Sequence, residues 1–83
     1  MRIRLQHRNT GFLQDFGECV RARRVGQLLS QEQLSARCGM HRTYITDIEC
    51  GYRNLSILTA LRVARGLEVA LSSLILQAEN GDK

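Results

Sequence analysis

The sequence predicts an all-α fold, a small bundle of five helices in which the second and third form a helix-turn-helix. Three observations carry this reading. Apolar residues recur at helical spacing through most of the 83-residue chain, no proline interrupts them, and capping serines and glycines fall where those rows break. The length corresponds to one small domain.

Phe12, Phe16, Cys19 and Val20 share one face of a first helix running from Phe12 to Val25 and ending near Gly26. Ser30 and Gln33 have the spacing of a capping box, so a short second helix starts at Gln31, with Leu34 and Cys38 one turn apart on its apolar side. Gly39 supplies the left-handed backbone of a tight stop. A third helix follows to Cys50 and stops at Gly51. Met40 and Ile45 stand as a hydrophobic staple around His41, a poor cap beside serine or threonine. Ile45 and Ile48 define its buried side, with Glu49 at the margin. Thr43, Thr46, Asp47 and Cys50 sweep across the other side, flanked by Arg42 and Tyr44. Ser56 caps a fourth helix, with Ile57, Leu58, Leu61 and Ala64 inward and Gly66 as its stop. After Val69, a fifth helix carries Leu71, Leu74, Ile75 and Ala78 in one stripe and leaves Leu76 on its polar side. The helical domain therefore spans residues 12–77, preceded by an arm or disordered start at 1–11 and followed by a short tail at 78–83.

Composition excludes several classes of function. No apolar run exceeds three residues, against about 20 for a membrane span, so no membrane partner is expected and the cytoplasm is the expected location. Cys19, Cys38 and Cys50 are odd in number and contain no C-x-x-C pair, which argues against a disulfide framework and a zinc site. His7 and His41 have no ligand partners at metal-binding spacing. No nucleophile, base and orienting group assemble into a catalytic set, so neither an enzyme nor a cofactor is expected.

Charge points toward a polyanion. Twelve basic residues face eight acidic ones for a net charge of +4, and eleven of the twelve are arginine, which suits bidentate contact with phosphate and guanine. Residues 19–65 alone carry a net of +5. A soluble domain that is merely basic, or a small bundle that merely contains two helices and a glycine turn, would share these features. A helix-turn-helix with a polar, basic outer face can place its second helix in a major groove about 12 Å wide while the preceding helix turns its N-terminal N–H groups toward a phosphate.

At this point the sequence resembles the lambda-repressor-like, or xenobiotic-response-element (XRE), family of bacterial and phage regulators. The match covers about residues 16–76. It rests on Arg21-x-x-Arg24, Leu29-Ser30-Gln31-x-x-Leu34-Ser35, Gly39, Tyr44-Ile45-Thr46-x-Ile48-Glu49-x-Gly51 and Ala64-x-x-Leu67-x-Val69. The sequence departs from the pattern at Leu28, where glycine is usual, at His41, at Cys50 and at Leu55, where proline is common. Within the family, Arg42-Thr43-Tyr44 and Gly51-x-Arg53-Asn54-x-Ser56 look like the small controller proteins of restriction-modification systems.

The resemblance implies a five-helix DNA-binding domain and a homodimer whose recognition helices read half-sites about 34 Å apart on a palindromic operator. It also implies an ion pair of Arg24 with Glu49. Independently, a carboxylate at the margin of an apolar face calls for such a partner. Arg42, Thr43, Thr46 and Asp47 are the candidate base readers, with Arg42 suited to a guanine edge and Asp47 to accepting from cytosine or orienting Arg42. Gln31, Tyr44, Arg53 and Asn54 are candidate phosphate contacts, and Tyr44 could instead pack sideways against the second helix. Leu67, Val69 and Leu76 are the candidate dimer patch. Residues 1–10, with Arg2, Arg4 and Arg8, read as a minor-groove arm, as a strand through Ile3 and Leu5, or as a disordered start.

The partners expected are thus double-stranded DNA, a second copy of the chain, and RNA polymerase as a further contact of a repressor or activator. The rival reading is an antitoxin-type module that binds and neutralises a toxin.

Overall fold

The structure, a computed structural model, describes residues 2–81, with side chains from Gly11 onward. Five helices follow one another: α1 (Arg2–Gly26), α2 (Gln31–Cys38), α3 (Arg42–Glu49), α4 (Ile57–Gly66) and α5 (Leu71–Asn80). Among the described residues there is no strand. α1 packs on α3 and α5, α2 on α3 and α4, and α4 on α5. Val20, Leu34, Ile45, Val63, Leu67 and Leu74 meet in the centre, fully closed to solvent.

α2 starts as its sequence requires. Ser30 Oγ accepts from the Gln33 amide at 3.0 Å, and the Gln33 side chain accepts from the Ser30 amide at 2.8 Å. Ser56 caps α4 by accepting from the Thr59 amide at 3.1 Å. His41 stands at the start of α3 with no side-chain cap bond.

Four helices end in one hydrogen-bond pattern, in which a left-handed residue and its successor return their amides to carbonyls of the last turn. At α2 these are Gly39 to Ala36 (3.3 Å) and Met40 to Ser35 (3.0 Å); at α3, Gly51 to Ile48 (3.0 Å) and Tyr52 to Asp47 (2.9 Å). At α1 the left-handed residue is Leu28 (φ 60°), and at α4 it is Glu68 (φ 59°). Leu28 returns to Val25 and Leu29 to Arg24, while Glu68 returns to Arg65 and Val69 to Ala64. α1 and α4 end at Gly26 and Gly66, where the sequence puts their stops, but neither glycine is the left-handed residue, which in each case lies two positions later. Leu28 also occupies the position where the family pattern has glycine.

Gly66 serves packing instead. A Cβ there would stand 2.6 Å from Cys38 Sγ. Gly17 does the same for α1 and α3, because a Cβ would lie 2.2 Å from the Ile48 carbonyl oxygen. The α3 backbone can therefore rest directly on α1.

Three further expectations need correction. α1 begins at Arg2 rather than Phe12, so residues 2–10 have helical backbone rather than strand, and the boundary at residue 11 falls inside the helix. α4 is rotated from its predicted face: Ala60, Val63 and Ala64 point inward, while Ile57 and Leu58 are 78% and 64% exposed. Leu67 is enclosed in the core at 0% exposure, so it belongs to no surface patch.

α2 and α4 exchange arginines at their C-terminal ends. Arg62 of α4 donates to the Cys38 and Gly39 carbonyls at 2.9 and 2.8 Å, and Arg37 of α2 donates to the Gly66 carbonyl at 3.2 Å. Each cation thus meets the negative end of a helix.

Candidate nucleic-acid interface

Ile45 and Ile48 bury one side of α3, which turns Arg42 and Thr43 to solvent and leaves Thr46 and Asp47 half-buried at the edge. No hydrogen bond or ion pair among the described residues engages the side chains of Arg42 and Thr43. Their donors and acceptors face outward at the N-terminal end of the helix.

A chain of polar contacts fixes this helix to α1 and to the start of α2. Arg24 donates Nε to Glu49 Oε2 at 2.6 Å and Nη2 to Oε1 at 3.1 Å, and sends Nη1 to the Leu29 carbonyl at 2.8 Å. The two side chains are 11% and 3% exposed, so the pair is desolvated and its bidentate geometry is what makes burial tolerable. Gln31 Nε2 donates to the same Glu49 Oε1 at 3.0 Å, and Gln31 Oε1 accepts from Thr46 Oγ1 at 2.9 Å. A carboxylate can only accept, so the orientation of the glutamine amide is determined. The Thr46 hydroxyl also lies 3.2 Å from the Arg42 carbonyl, one turn back. Arg24, Glu49, Gln31 and Thr46 therefore form one line from the interior to the outer edge of α3, and no buried side-chain polar atom among the described residues lacks a partner.

Beyond α3, Arg53 Nε donates to Asp47 Oδ2 at 3.1 Å, and the guanidinium lies 4.3 Å from the centre of the Tyr44 ring. Asn54 is exposed beside it. Tyr44 thus supports Arg53, and Asp47 pairs with Arg53 rather than with Arg42. Cys50 is exposed at the end of α3, whereas Cys38 lies in the core. Burial pushes the Cys38 thiol upward, partly offset by Arg62 and Arg37. Among the described residues, no group of acidic, histidine or cysteine side chains could hold a metal ion, and no helix is long and apolar enough to cross a membrane.

A family model described as Helix-turn-helix matches residues 20–74, more than half of the chain. The chain belongs to the helix-turn-helix family. It is similar to Control protein C.BamHI of Bacillus amyloliquefaciens, 41% identical over 61 residues that cover 72% of this chain and 75% of that one. Control protein C.SmaI of Serratia marcescens is 40% identical over 58 residues, or 70% and 69% of the two chains. Among solved structures, the restriction-modification controller protein C.AhdI from Aeromonas hydrophila matches with a TM-score of 0.73 at 35% identity, over 75% of this chain and 94% of that chain. The controller protein C.Esp1396I, as a tetramer in complex with its natural 35 base-pair operator, matches with a TM-score of 0.77 at 27% identity, over 86% and 93%.

In this helix-turn-helix chain, the candidate readers fall into two groups. Arg42 and Thr43 stand unengaged, while Thr46, Asp47, Gln31, Tyr44 and Arg53 are tied to one another or to Glu49. Val69 is half-buried and Leu76 is 57% exposed. Sequence reasoning missed the grip of Asp47 and Tyr44 on Arg53. The available signal was their three-residue spacing, which places both on one flank of α3 with a cation soon after its end. It also counted toward a polyanion three arginines that serve the fold: Arg37 and Arg62 on helix ends, and Arg23 on Gln77 at 2.8 Å.

Proposed function

We propose that this chain is a sequence-specific DNA-binding transcriptional regulator that acts as a homodimer on a palindromic operator, as the controller protein of a restriction-modification system. The observation that carries this reading is the outward flank of α3. No hydrogen bond or ion pair among the described residues engages Arg42 or Thr43 there, on a helix whose position is held from behind by a desolvated ion pair. The identity to Control proteins C.BamHI and C.SmaI supports the same reading.

Arg42 reads a guanine edge through two donors, and Thr43 and Thr46 meet neighbouring bases. The second amide hydrogen of Gln31, the N-terminal amides of α2, Arg53 and Asn54 hold phosphates and set the register. Leu76 and Val69, with the exposed first turn of α4 at Ile57 and Leu58, provide apolar surface for a second copy. The two α3 helices would then meet half-sites about 34 Å apart.

A footprint on the promoter of the chain's own gene, with affinity measured across a salt series, tests this. Log affinity falls linearly with log salt, by about 0.9 for each phosphate neutralised, and a flat response overturns the reading. Arg42→Ala weakens the footprinted site by about 1–3 kcal/mol and leaves unrelated DNA unaffected. Equal loss on both would remove Arg42 from base recognition.

A further inference from the structure

Arg53 lies in the turn after α3, and α3 itself holds its side chain. Asp47 Oδ2 takes its Nε at 3.1 Å while the Tyr44 ring lies beneath its guanidinium, 4.3 Å from the ring centre. Asp47 and Tyr44 are one turn apart on the same flank of the helix. Only Nε is used among the described residues, so both Nη groups of a side chain that is 45% exposed keep their donors. Resting on DNA-binding through α3, we propose that Asp47 is a positioning residue: it sets Arg53, backed by Tyr44, for the phosphate backbone and touches no base itself.

Two physical reasons favour this role over direct readout. An acid on a DNA-facing flank repels phosphates, and a cation bonded to it removes most of that repulsion before DNA arrives. An arginine on a flexible loop must also be immobilised on binding, which lowers affinity. An arginine already seated between a carboxylate and an aromatic face has lost that freedom in advance. Since the Asp47 side chain is only 28% exposed with one oxygen on Arg53, little of it remains to reach a cytosine.

The test uses the full chain, a duplex that it enriches from a random-sequence pool, and a scrambled duplex of equal length. Asp47→Ala weakens the enriched and the scrambled duplex by a similar factor, about threefold to tenfold, because a phosphate contact carries no sequence information. In an Arg53→Ala background, Asp47→Ala produces no further loss on either duplex, while Asp47→Asn in the wild-type background keeps part of the affinity by accepting from Nε. The Arg53 Nε proton, protected from exchange in the free protein, loses that protection in Asp47→Ala. The melting temperature hardly moves, since the pair is exposed. A loss confined to the enriched duplex, or one that persists without Arg53, would make Asp47 a base reader and overturn the proposal; equal tightening on both duplexes would overturn it too. If the wild-type chain enriches no duplex, the DNA-binding reading falls as well, and that result appears before any variant is made.

Discussion

α2 and α3 end differently from α1 and α4, although all four reversals use the same hydrogen bonds. The helix-turn-helix pair places glycine in the left-handed position, at Gly39 and Gly51. The outer pair places Leu28 and Glu68 there, where a side chain costs about 1–2 kcal/mol. Return of the last carbonyls to the following amides thus sets where a helix stops, and glycine only sets what the stop costs. Around α3 the helix is tied down by desolvated polar groups, while strain is stored at the exits of α1 and α4, in the exposed Leu28 and Glu68.

That contrast can be tested from both sides. The largest effect falls on the tied side: Glu49→Ala leaves Arg24 buried without its carboxylate and costs about 3–5 kcal/mol in chemical denaturation. A loss under about 1 kcal/mol would mean that the polar line is ornamental. Gly51→Ala comes next, at about 2–4 kcal/mol, because it adds left-handed strain to a Cβ that would lie 2.8 Å from the Gln14 Cα. On the strained side the sign reverses. Leu28→Gly and Glu68→Gly each raise stability by about 0.5–1 kcal/mol, the relief of strain less the greater freedom of glycine when unfolded. Leu28 is 90% exposed, so little contact is given up. No gain at either position would show those reversals to be unstrained.

The smallest effect concerns Cys38. Its folded thiol is held above the ordinary value of 9.0. The unfolded chain therefore ionises first, and the stabilising contribution, complete below that value, is lost as pH climbs through the folded value. Unfolding followed from pH 8 upward shows a decline that Cys38→Ala flattens.

The sequence allowed some of this to be read and concealed the rest for definite reasons. The start of α2 was legible because Ser30 and Gln33 act locally, and the buried side of α3 because Ile45 and Ile48 are flanked by polar residues. α4 was not legible in orientation: Ile57, Leu58, Ala60, Leu61, Val63 and Ala64 are apolar on several sides, so spacing alone selects no face. Gly17 reads in sequence as a helix weakness, and only the approach of the Ile48 carbonyl gives it a purpose. The positions of Arg42 and Glu49 could be read from helix geometry. The seat of Arg53 was only half legible: the spacing of Tyr44 and Asp47 offers a flank to a cation, but a turn of unknown path separates Arg53 from it.

The crossed arginines of α2 and α4 give the molecule a mutual latch. Because each helix closes the other's end, the tilt of α2 is keyed to a helix on its far side, and α3 moves with α2 through the short turn. A mutational screen scored only by operator occupancy would therefore return Arg62 alongside residues that meet the duplex. Its signature would be a defect shared by every DNA tried, with the salt slope unchanged.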